Sequence, residues 1–488
     1  MNKVTLIDTL DIDARAVNSK AARELYHKRE QIYPKLARGP FRNLKWAAMI
    51  VLLAIYYVTP WLRWDRGEGR VDQAVMVDFE GGRFYFFFIE LWPQEVYYIT
   101  GLLILASLGI FLSSALFGRV WCGYACPQTV WTDLYIYVER AIEGDRNARM
   151  RLDKAPLSFS KAAKKLSKHA IWLAIAAATG GAWVFYFGDA PTLFRDIFTG
   201  QASAPVYLFI GLLTFTTYAL AGTMREQVCT YMCPWPRIQA AMIDKDALSV
   251  TYRVDRGEPR GPHKKGESWE GRGDCIDCRQ CVAVCPQGID IRDGDQLECI
   301  NCALCIDACD DVMRKVGRPT GLIAYDSYAN VKRRQQGKSI SYQLVRPRTI
   351  LYGVLMALVA ALMIYGLATR QTLDLNVIRD RNPPFVRLAD GSIRNDYALK
   401  LINMTDQPRR LEVAVAGLDG LRLQVGQLGD AGSVVVEARA DGVTNVRAHV
   451  AAPAGVAPGA HDLTFTIRDV ETGATATSDA AFLAGAAP

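Results

Sequence analysis

Eight of the chain's twelve cysteines run as Cys275, Cys278, Cys281, Cys285 and then Cys299, Cys302, Cys305, Cys309, the spacing C-x2-C-x2-C-x3-C written twice. Thiolates this dense could hold zinc, close disulfides or ligate iron. Structural zinc favours two C-x2-C pairs parted by a longer spacer, and disulfides at this density need an oxidising compartment. The doubled spacing fits two [4Fe-4S] clusters, in which three close cysteines take three corners of one cubane and the fourth reaches across to the other. That crossing predicts one cluster on Cys275, Cys278, Cys281 and Cys309, and a second on Cys299, Cys302, Cys305 and Cys285. Two such centres in one fold move single electrons.

The other four cysteines form a second repeat, Trp121-Cys122-Gly123-Tyr124-Ala125-Cys126-Pro127 and Val228-Cys229-Thr230-Tyr231-Met232-Cys233-Pro234. Both read C-x-Y-x-C-P. On a helix, residues four apart share a face, so each pair is expected to present two sulfurs to one point, with Pro127 and Pro234 interrupting the backbone just beyond. A free cysteine is often only a small buried apolar side chain. Duplication with the same Tyr and Pro, beside an iron-sulfur pattern, argues for more. Soft thiolates select Cu(I), zinc or iron-sulfur clusters, and a thiol pair can pass two electrons by closing a disulfide. Copper handling, a further cluster and a dithiol relay all remain open for Cys122, Cys126, Cys229 and Cys233.

Other side chains are weaker candidates. Met224 and Met232 flank the second pair and could offer thioethers to Cu(I), though packing is the plainer role for Met224. His169 reads as an interfacial residue, and His27 and His263 as solvated. Glu90 and Glu95 read as solvated carboxylates at a membrane surface. The chain lacks the paired intramembrane histidines of a b-type haem. Neither a G-x-G-x-x-G after a strand nor a P-loop is present, so nucleotide binding is unsupported.

The elements that must position these thiols are largely membrane spans. Half of the 488 residues are apolar, and they are bunched. Windows of about 20 apolar residues, the length that crosses a hydrocarbon core, run at Trp46 to Leu62, Val96 to Phe117, Ala170 to Phe187, Val206 to Gly222 and Ile350 to Thr369. The first lacks a small-residue cleavage site and reads as a retained anchor. Lys and Arg crowd the tail before the first span, the loop between the second and third, and the segment between the fourth and fifth, which assigns those to the cytoplasm. Both C-x3-C-P pairs and the eight-cysteine segment then sit on the cytoplasmic side, and everything after Arg370 is exported. The net charge of +7 is mostly this asymmetry, not a nucleic-acid footprint.

The exported tail alternates apolar and polar residues over seven short strands between Tyr397 and Phe482, punctuated by turns such as Asp419-Gly420, Asp441-Gly442 and Pro458-Gly459. It reads as an immunoglobulin-like β-sandwich without its disulfide, serving packing or docking. The fold class is therefore a multi-domain membrane protein: an α-helical transmembrane bundle, a bacterial-ferredoxin-like α+β insert and a C-terminal all-β sandwich. Its expected parts are 1–45, an N-terminal cytoplasmic segment; 46–248, four spans with the duplicated motif; 249–345, the 2[4Fe-4S] insert; 346–370, the fifth span; and 371–488, the sandwich.

This combination resembles the FixG/CcoG (RdxA) cytochrome oxidase accessory proteins. The likeness runs from LYHKREQIYPKLARGPFR, through VWCGYACPQTVW and CIDCRQCVAVCPQGIDIRDGDQLECINCALCIDACD, to PPFVRLADGSIRNDYALKLIN. It implies an inner-membrane protein that helps assemble a haem-copper oxidase by reducing Cu(II) to Cu(I). It also implies that Cys275 to Cys309 hold the clusters and that Cys122, Cys126, Cys229 and Cys233 are a redox or copper-handling set. Expected partners are oxidase subunits or a copper chaperone, and a cytoplasmic electron donor. An assembly scaffold with redox-sensing clusters and a quinol-linked conduit are the competing functions. One departure from the ferredoxin pattern is that Pro286 follows Cys285 but Asp310 follows Cys309.

Overall fold

Pro40 opens the first long helix, its fixed φ suited to a helix start and its missing N–H costing nothing there. The computed structural model describes residues 31–485 except 68, 69, 265, 406 and 427, so His27 and most of the N-terminal segment lie outside the described residues. The chain divides at Met363/Ile364 into two units. In the first, α1 (Pro40–Val58) is followed by a three-stranded antiparallel sheet of β1 (Val75–Asp78), β2 (Arg83–Phe86) and β3 (Ile89–Leu91), then α2 (Tyr97–Phe117), the single-turn α3 (Val120–Tyr124), α4 (Pro127–Glu143) and α5 (Arg146–Lys154). Next come α6 (Phe159–Val184), α7 (Ala190–Thr199), α8 (Ala204–Thr217) and α9 (Trp235–Met242). Between α8 and α9 the chain makes two π-helical turns, Tyr218–Met224 and Val228–Met232.

The cysteine-rich insert is framed by a two-stranded antiparallel pair, β4 (Leu248–Tyr252) and β5 (Ile323–Ser327), with α10 (Val254–Gly257), α11 (Gln280–Val284) and α12 (Leu304–Lys315) between them. After α13 (Tyr328–Gln335), helix α14 (Pro347–Ala368) follows. Five helices, at Pro40–Trp61, Pro93–Phe117, Phe159–Phe187, Ala204–Met224 and Pro347–Ala368, are long and apolar enough to cross a membrane.

Interhelical contacts within the bundle are close and polar in places. A Cβ at Gly180 would lie 2.7 Å from the carbonyl of Ile210, so only glycine lets α6 approach α8 this closely. Thr179 gathers Tyr56, Tyr57 and Trp131 by hydrogen bonds of 2.7–3.0 Å. Tyr135 and Trp172 donate to each other's carbonyls at 2.9 and 3.1 Å. Each bond satisfies a group that lipid could not.

The aromatic run Phe84 to Phe88 partly forms β2. Glu90 and Glu95, expected to be solvated, are not. Glu90 pairs with Arg83 at 2.8 Å, and buried Glu95 accepts from the Trp92 N–H at 3.0 Å, capping the turn that starts the second span.

The second unit is a two-sheet sandwich. One sheet runs β11 (Leu428–Ala431), β10 (Arg422–Val425), β13 (Gly442–Ala452), β8 (Ile393–Asn403), β6 (Leu373–Arg379), with β7 (Val386–Arg387) also on β8. The other runs β12 (Ser433–Ala438), β9 (Arg409–Ala416), β14 (Gly459–Asp469), β15 (Thr475–Ala484). Alternate residues fill the space between them, among them Leu399, Leu401, Leu411, Val413, Leu423, Phe465 and Phe482. The strands β6, β7 and β11 are additional to the seven expected. β6 starts just past α14, within the expected sandwich but ahead of its first expected strand. Truncating the buried Phe465 to Ala is expected to destabilise the sandwich by about 3–5 kcal/mol, measured by thermal or denaturant unfolding of residues 371–488.

Candidate iron-sulfur and thiol site

Within the insert the two cysteine runs adopt the same backbone. Asp277 and Arg279 flank Cys278 at φ 53° and 52°, and Asn301 and Ala303 flank Cys302 at φ 53° and 60°. Left-handed residues on both sides of the middle cysteine curl each loop around a concavity, a nest whose amides face an anionic group. Each such non-glycine residue costs about 1–2 kcal/mol, so four of them in two equivalent loops mark a site held for a purpose.

One concavity is lined by Cys275, Cys278, Cys281 and Cys309, together with Tyr252, Met313 and Ile323. The neighbouring one is lined by Cys285, Cys299, Cys302 and Cys305, with Cys281 at its edge. Among the described residues no three His, Cys, Asp or Glu side chains converge tightly enough for a single ion. A cubane asks for the looser arrangement, since each thiolate takes its own iron corner. Burial pushes the thiols up, to about 11 for Cys281 and about 12 for Cys285, Cys299 and Cys309. Binding to iron would relieve that cost by fixing them as thiolates. The donor set, the nests and the cavities all fit [4Fe-4S] clusters.

The C-x3-C-P pairs are also built alike, but not as expected. Instead of two cysteines on one α-helical face, each pair spans a widened turn. The Cys126 N–H donates to the Trp121 carbonyl and the Cys233 N–H to the Val228 carbonyl, both five residues back and both at 2.8 Å. The cysteine before each proline is extended, with φ/ψ of −60°/128° at Cys126 and −83°/121° at Cys233, as a residue preceding proline must be. Four residues before each first cysteine the backbone turns the same way, φ/ψ 60°/−125° at Gly118 and 44°/−110° at Arg225.

The two pairs meet. Charge on Cys126, Cys229 or Cys233 acts on the Cys122 thiol, and charge on Cys126 or Cys233 acts on Cys229. Burial pushes Cys122 up to about 12 and Cys229 up to about 11. Gln128, just past the first pair, donates to the carbonyls of Leu220 and Arg225 at 2.8 and 3.2 Å, tying one half to the other. The Cys122 thiol donates to Gln239 Oε1 at 3.0 Å.

The first pair also lies directly on the insert. A Cβ on Gly123 would fall 2.6 Å from the Ile300 carbonyl and 3.1 Å from the Cys302 Cα. Tyr124 donates to the Cys302 carbonyl at 3.2 Å, Arg119 donates to the Leu297 carbonyl, and Cys122 packs in one apolar group with Ile300, Cys302 and Cys305. In the second pair Tyr231 and Met232 are 70% and 54% exposed, while Cys229 and Cys233 are half-buried and Cys229 shares a cavity with Pro286, Gln287 and Ile300 of the insert.

Sequence reasoning missed the charges that hold this arrangement. Arg42, Lys45, Lys168 and Arg225, read as topology markers, are buried. Arg42 grips Asp133 through two bonds of 2.9 and 2.7 Å, and Glu139 receives Arg149, Lys168 and Arg225 at 2.9, 3.3 and 3.0 Å. Burial alone would raise the Glu139 carboxyl, but Arg225, Lys168 and Arg149 outweigh it and hold it below its usual range. Asp307 of α12 accepts from the Phe41 and Arg42 N–H groups, so the insert caps α1. Residues 33–36 strap the insert to α4 and α5 through Lys35 N–H to the Ala283 carbonyl at 2.8 Å and Leu36 N–H to Asp145 at 3.1 Å. His169, expected at the interface, is hydrogen-bonded to Tyr218 at 2.8 Å, and His263 stacks on Trp269 at 3.9 Å instead of being solvated.

Three family models match the chain: the 4Fe-4S dicluster domain over residues 224–328, the 4Fe-4S binding domain over 99–143, and the IG-like fold at the C-terminus of FixG over 363–485. Fold and site together define a membrane iron-sulfur protein of oxidoreductase type with an appended Ig-like domain. The chain is 51% identical over 475 residues to the nitrogen fixation protein FixG of Rhizobium meliloti (strain 1021), covering 91% of each, and 52% identical over 444 residues to protein RdxA of Cereibacter sphaeroides, covering 90% of this chain and 93% of that one. It belongs to the FixG/RdxA family. A crystal structure of a FixG-related protein from Vibrio parahaemolyticus matches 23% of this chain and 96% of that one at 23% identity, with a TM-score of 0.20. Replacing Glu139 by Gln removes the carboxylate shared by three buried cations, one of them the turn-forming Arg225, and is expected to cost about 3–5 kcal/mol, read as a lowered thermal midpoint of the detergent-solubilised protein.

Proposed function

We propose that this protein carries electrons across its membrane surface to reduce Cu(II) to Cu(I) for assembly of a haem-copper oxidase. The observation that carries the reading is the seat of the first C-x3-C-P pair on the Ile300–Cys302 backbone, which leaves no gap between the insert and the membrane thiols. In this reading Cys275, Cys278, Cys281 and Cys309 ligate one [4Fe-4S] cluster, and Cys285, Cys299, Cys302 and Cys305 the other. When bound, these clusters supply one-electron transfer at low potential.

The chain's own residues hold the path together. Cys302 joins the insert to the Cys122 side, Gly123 permits the close approach, and Tyr124 and Arg119 pin the loop. Cys122, Cys126, Cys229 and Cys233 hold the copper ion, which takes one electron from the insert and leaves as Cu(I). Reduction suits a sulfur-rich surface, because Cu(II) favours nitrogen and oxygen while Cu(I) favours sulfur.

The distribution of Lys and Arg supports a bacterial inner-membrane protein with the insert in the cytoplasm and the sandwich exported. A cytoplasmic one-electron donor would feed the insert. The sandwich would dock oxidase subunits or a copper chaperone.

With all eight insert cysteines replaced by serine, Cu(II) reduction by the purified protein, followed with a Cu(I)-specific chelator, is expected to vanish; undiminished turnover rejects the reading. Deleting residues after Arg370 is expected to leave that turnover intact while abolishing co-purification with the oxidase. A scaffold would instead show no turnover in either form.

A further inference from the structure

We propose that Arg292 makes the two insert clusters unequal, holding the one on Cys275, Cys278, Cys281 and Cys309 at a higher reduction potential than its neighbour. The assignment rests on the electron path proposed above and says where along it an electron waits. The first observation is the lining of the two concavities. The first takes in Arg292, whose side chain is only 4% exposed, and the mostly exposed Arg279. Among the described residues none that lines the second is charged, and Ile289, Ile291, Ile300 and Leu304 make up much of it. Arg119 comes as close as the Leu297 carbonyl but does not line that cavity. Reducing a [4Fe-4S] centre adds one negative charge, so a buried cation at its side favours the reduced form and an apolar wall does not.

The second observation is how Arg292 is held. Its Nε donates to Asp290 Oδ1 at 2.8 Å, one Nη to Asp290 Oδ2 at 2.6 Å, and the other Nη to Asp277 Oδ1 at 2.6 Å. All three guanidinium nitrogens are taken, which fixes the orientation of the planar fork. Two carboxylates would cancel one cation if all three groups were equally placed. Their placement differs. Asp277 and Asp290 are 34% and 23% exposed and stand outside the cavity lining, where water and salt screen them, while the guanidinium is buried and lines the cavity. At the first cluster the cation therefore outweighs its partners.

The third observation is the contrast between two loops of one backbone. The first flanks its middle cysteine with Asp277 and Arg279, and the second sets Asn301 and Ala303 at the same left-handed positions. Cys278 is exposed, while its counterpart Cys302 is buried in one apolar group with Cys122. Water at one centre and apolar packing at the other push the two potentials apart in the same sense as Arg292 does. One electron thus leaves the cytoplasmic donor at the open Cys278 edge, rests in the first concavity, and crosses the second to a single Cu(II). Each transfer moves one electron and no proton. With no copper to accept it, the electron stays near Arg292 and the centre beside the membrane remains oxidised.

The test is a potentiometric titration of the full chain, purified anaerobically in detergent with about eight iron per chain and followed by electron paramagnetic resonance. Two separate midpoints are expected. R292Q should lower the higher midpoint and leave the lower one in place. D290N, which relieves the guanidinium of one carboxylate while Asp277 still holds it, should raise the higher midpoint. Opposite signs from the two partners of one ion pair report charge, which a merely structural role would not produce. Shifts of the same sign, a shift confined to the lower midpoint, or no shift in R292Q overturns the proposal. Should R292Q not take up its iron, the native protein and D290N decide: a single midpoint in the first, or a higher midpoint that fails to rise in the second, overturns it equally. The titration does not read Cu(II) reduction. Separate midpoints that answer to Arg292 without copper turnover keep this assignment and sink the function, and turnover with coincident midpoints does the reverse.

Discussion

Everything at this site depends on a backbone contact that tolerates no side chain, Gly123 against the Ile300 carbonyl and the Cys302 Cα. Electron transfer between centres requires closeness, and closeness between the single-turn α3 and the insert needs a surface without a Cβ. Around that point the protein adds directional bonds. Tyr124 and Tyr325 donate to the adjacent Cys302 and Asn301 carbonyls, at 3.2 and 2.6 Å. Gly118, at positive φ, lies against Asn301 and the Leu248 carbonyl. The loop that carries Cys299 to Cys305 is thus held from the membrane side as firmly as from its own domain.

The buried charges serve the same end. Desolvating an ion pair offsets most of its Coulomb energy, so Arg42–Asp133 and the Glu139 cluster are poor sources of net stability. What they provide is a fixed position. Glu139 sits on α4, just after the first pair. It binds Arg225, which makes the turn into the second pair, and Lys168 on α6. Losing any one partner leaves a charge in an apolar place, and that penalty keeps the halves from drifting apart.

Much of this was legible in the sequence, and the reasons are physical. Spans announce themselves because lipid demands long apolar runs, and the ferredoxin insert does so because a cubane fixes the spacing of its thiols. The sandwich was readable from alternation, although β6 was not: its LDLNVIR run directly follows a span and is not among the seven expected strands. The C-x3-C-P geometry was misjudged because an α-helical period was applied across a proline. The residue before Pro127 or Pro234 cannot stay helical, and the turn widens to reach it. Arg225, Lys168 and Arg42 were assigned to solvated loops because a lone sequence shows charge but not the carboxylate that meets it from another helix.

The two halves of the thiol site are alike in backbone and unlike in surroundings, and that difference gives the path a direction. Tyr124 of the first copy is half-buried and bonded to the insert, while its counterpart Tyr231 is mostly exposed beside Met232. A symmetric pair of motifs on a symmetric scaffold would have no preferred entrance. The insert bonds directly to Tyr124 of the first copy, and it meets the second at the cavity that Cys229 lines with Pro286, Gln287 and Ile300. In the proposed function, electrons would arrive by the buried first copy and leave beside the exposed thioether of Met232, a soft donor suited to Cu(I).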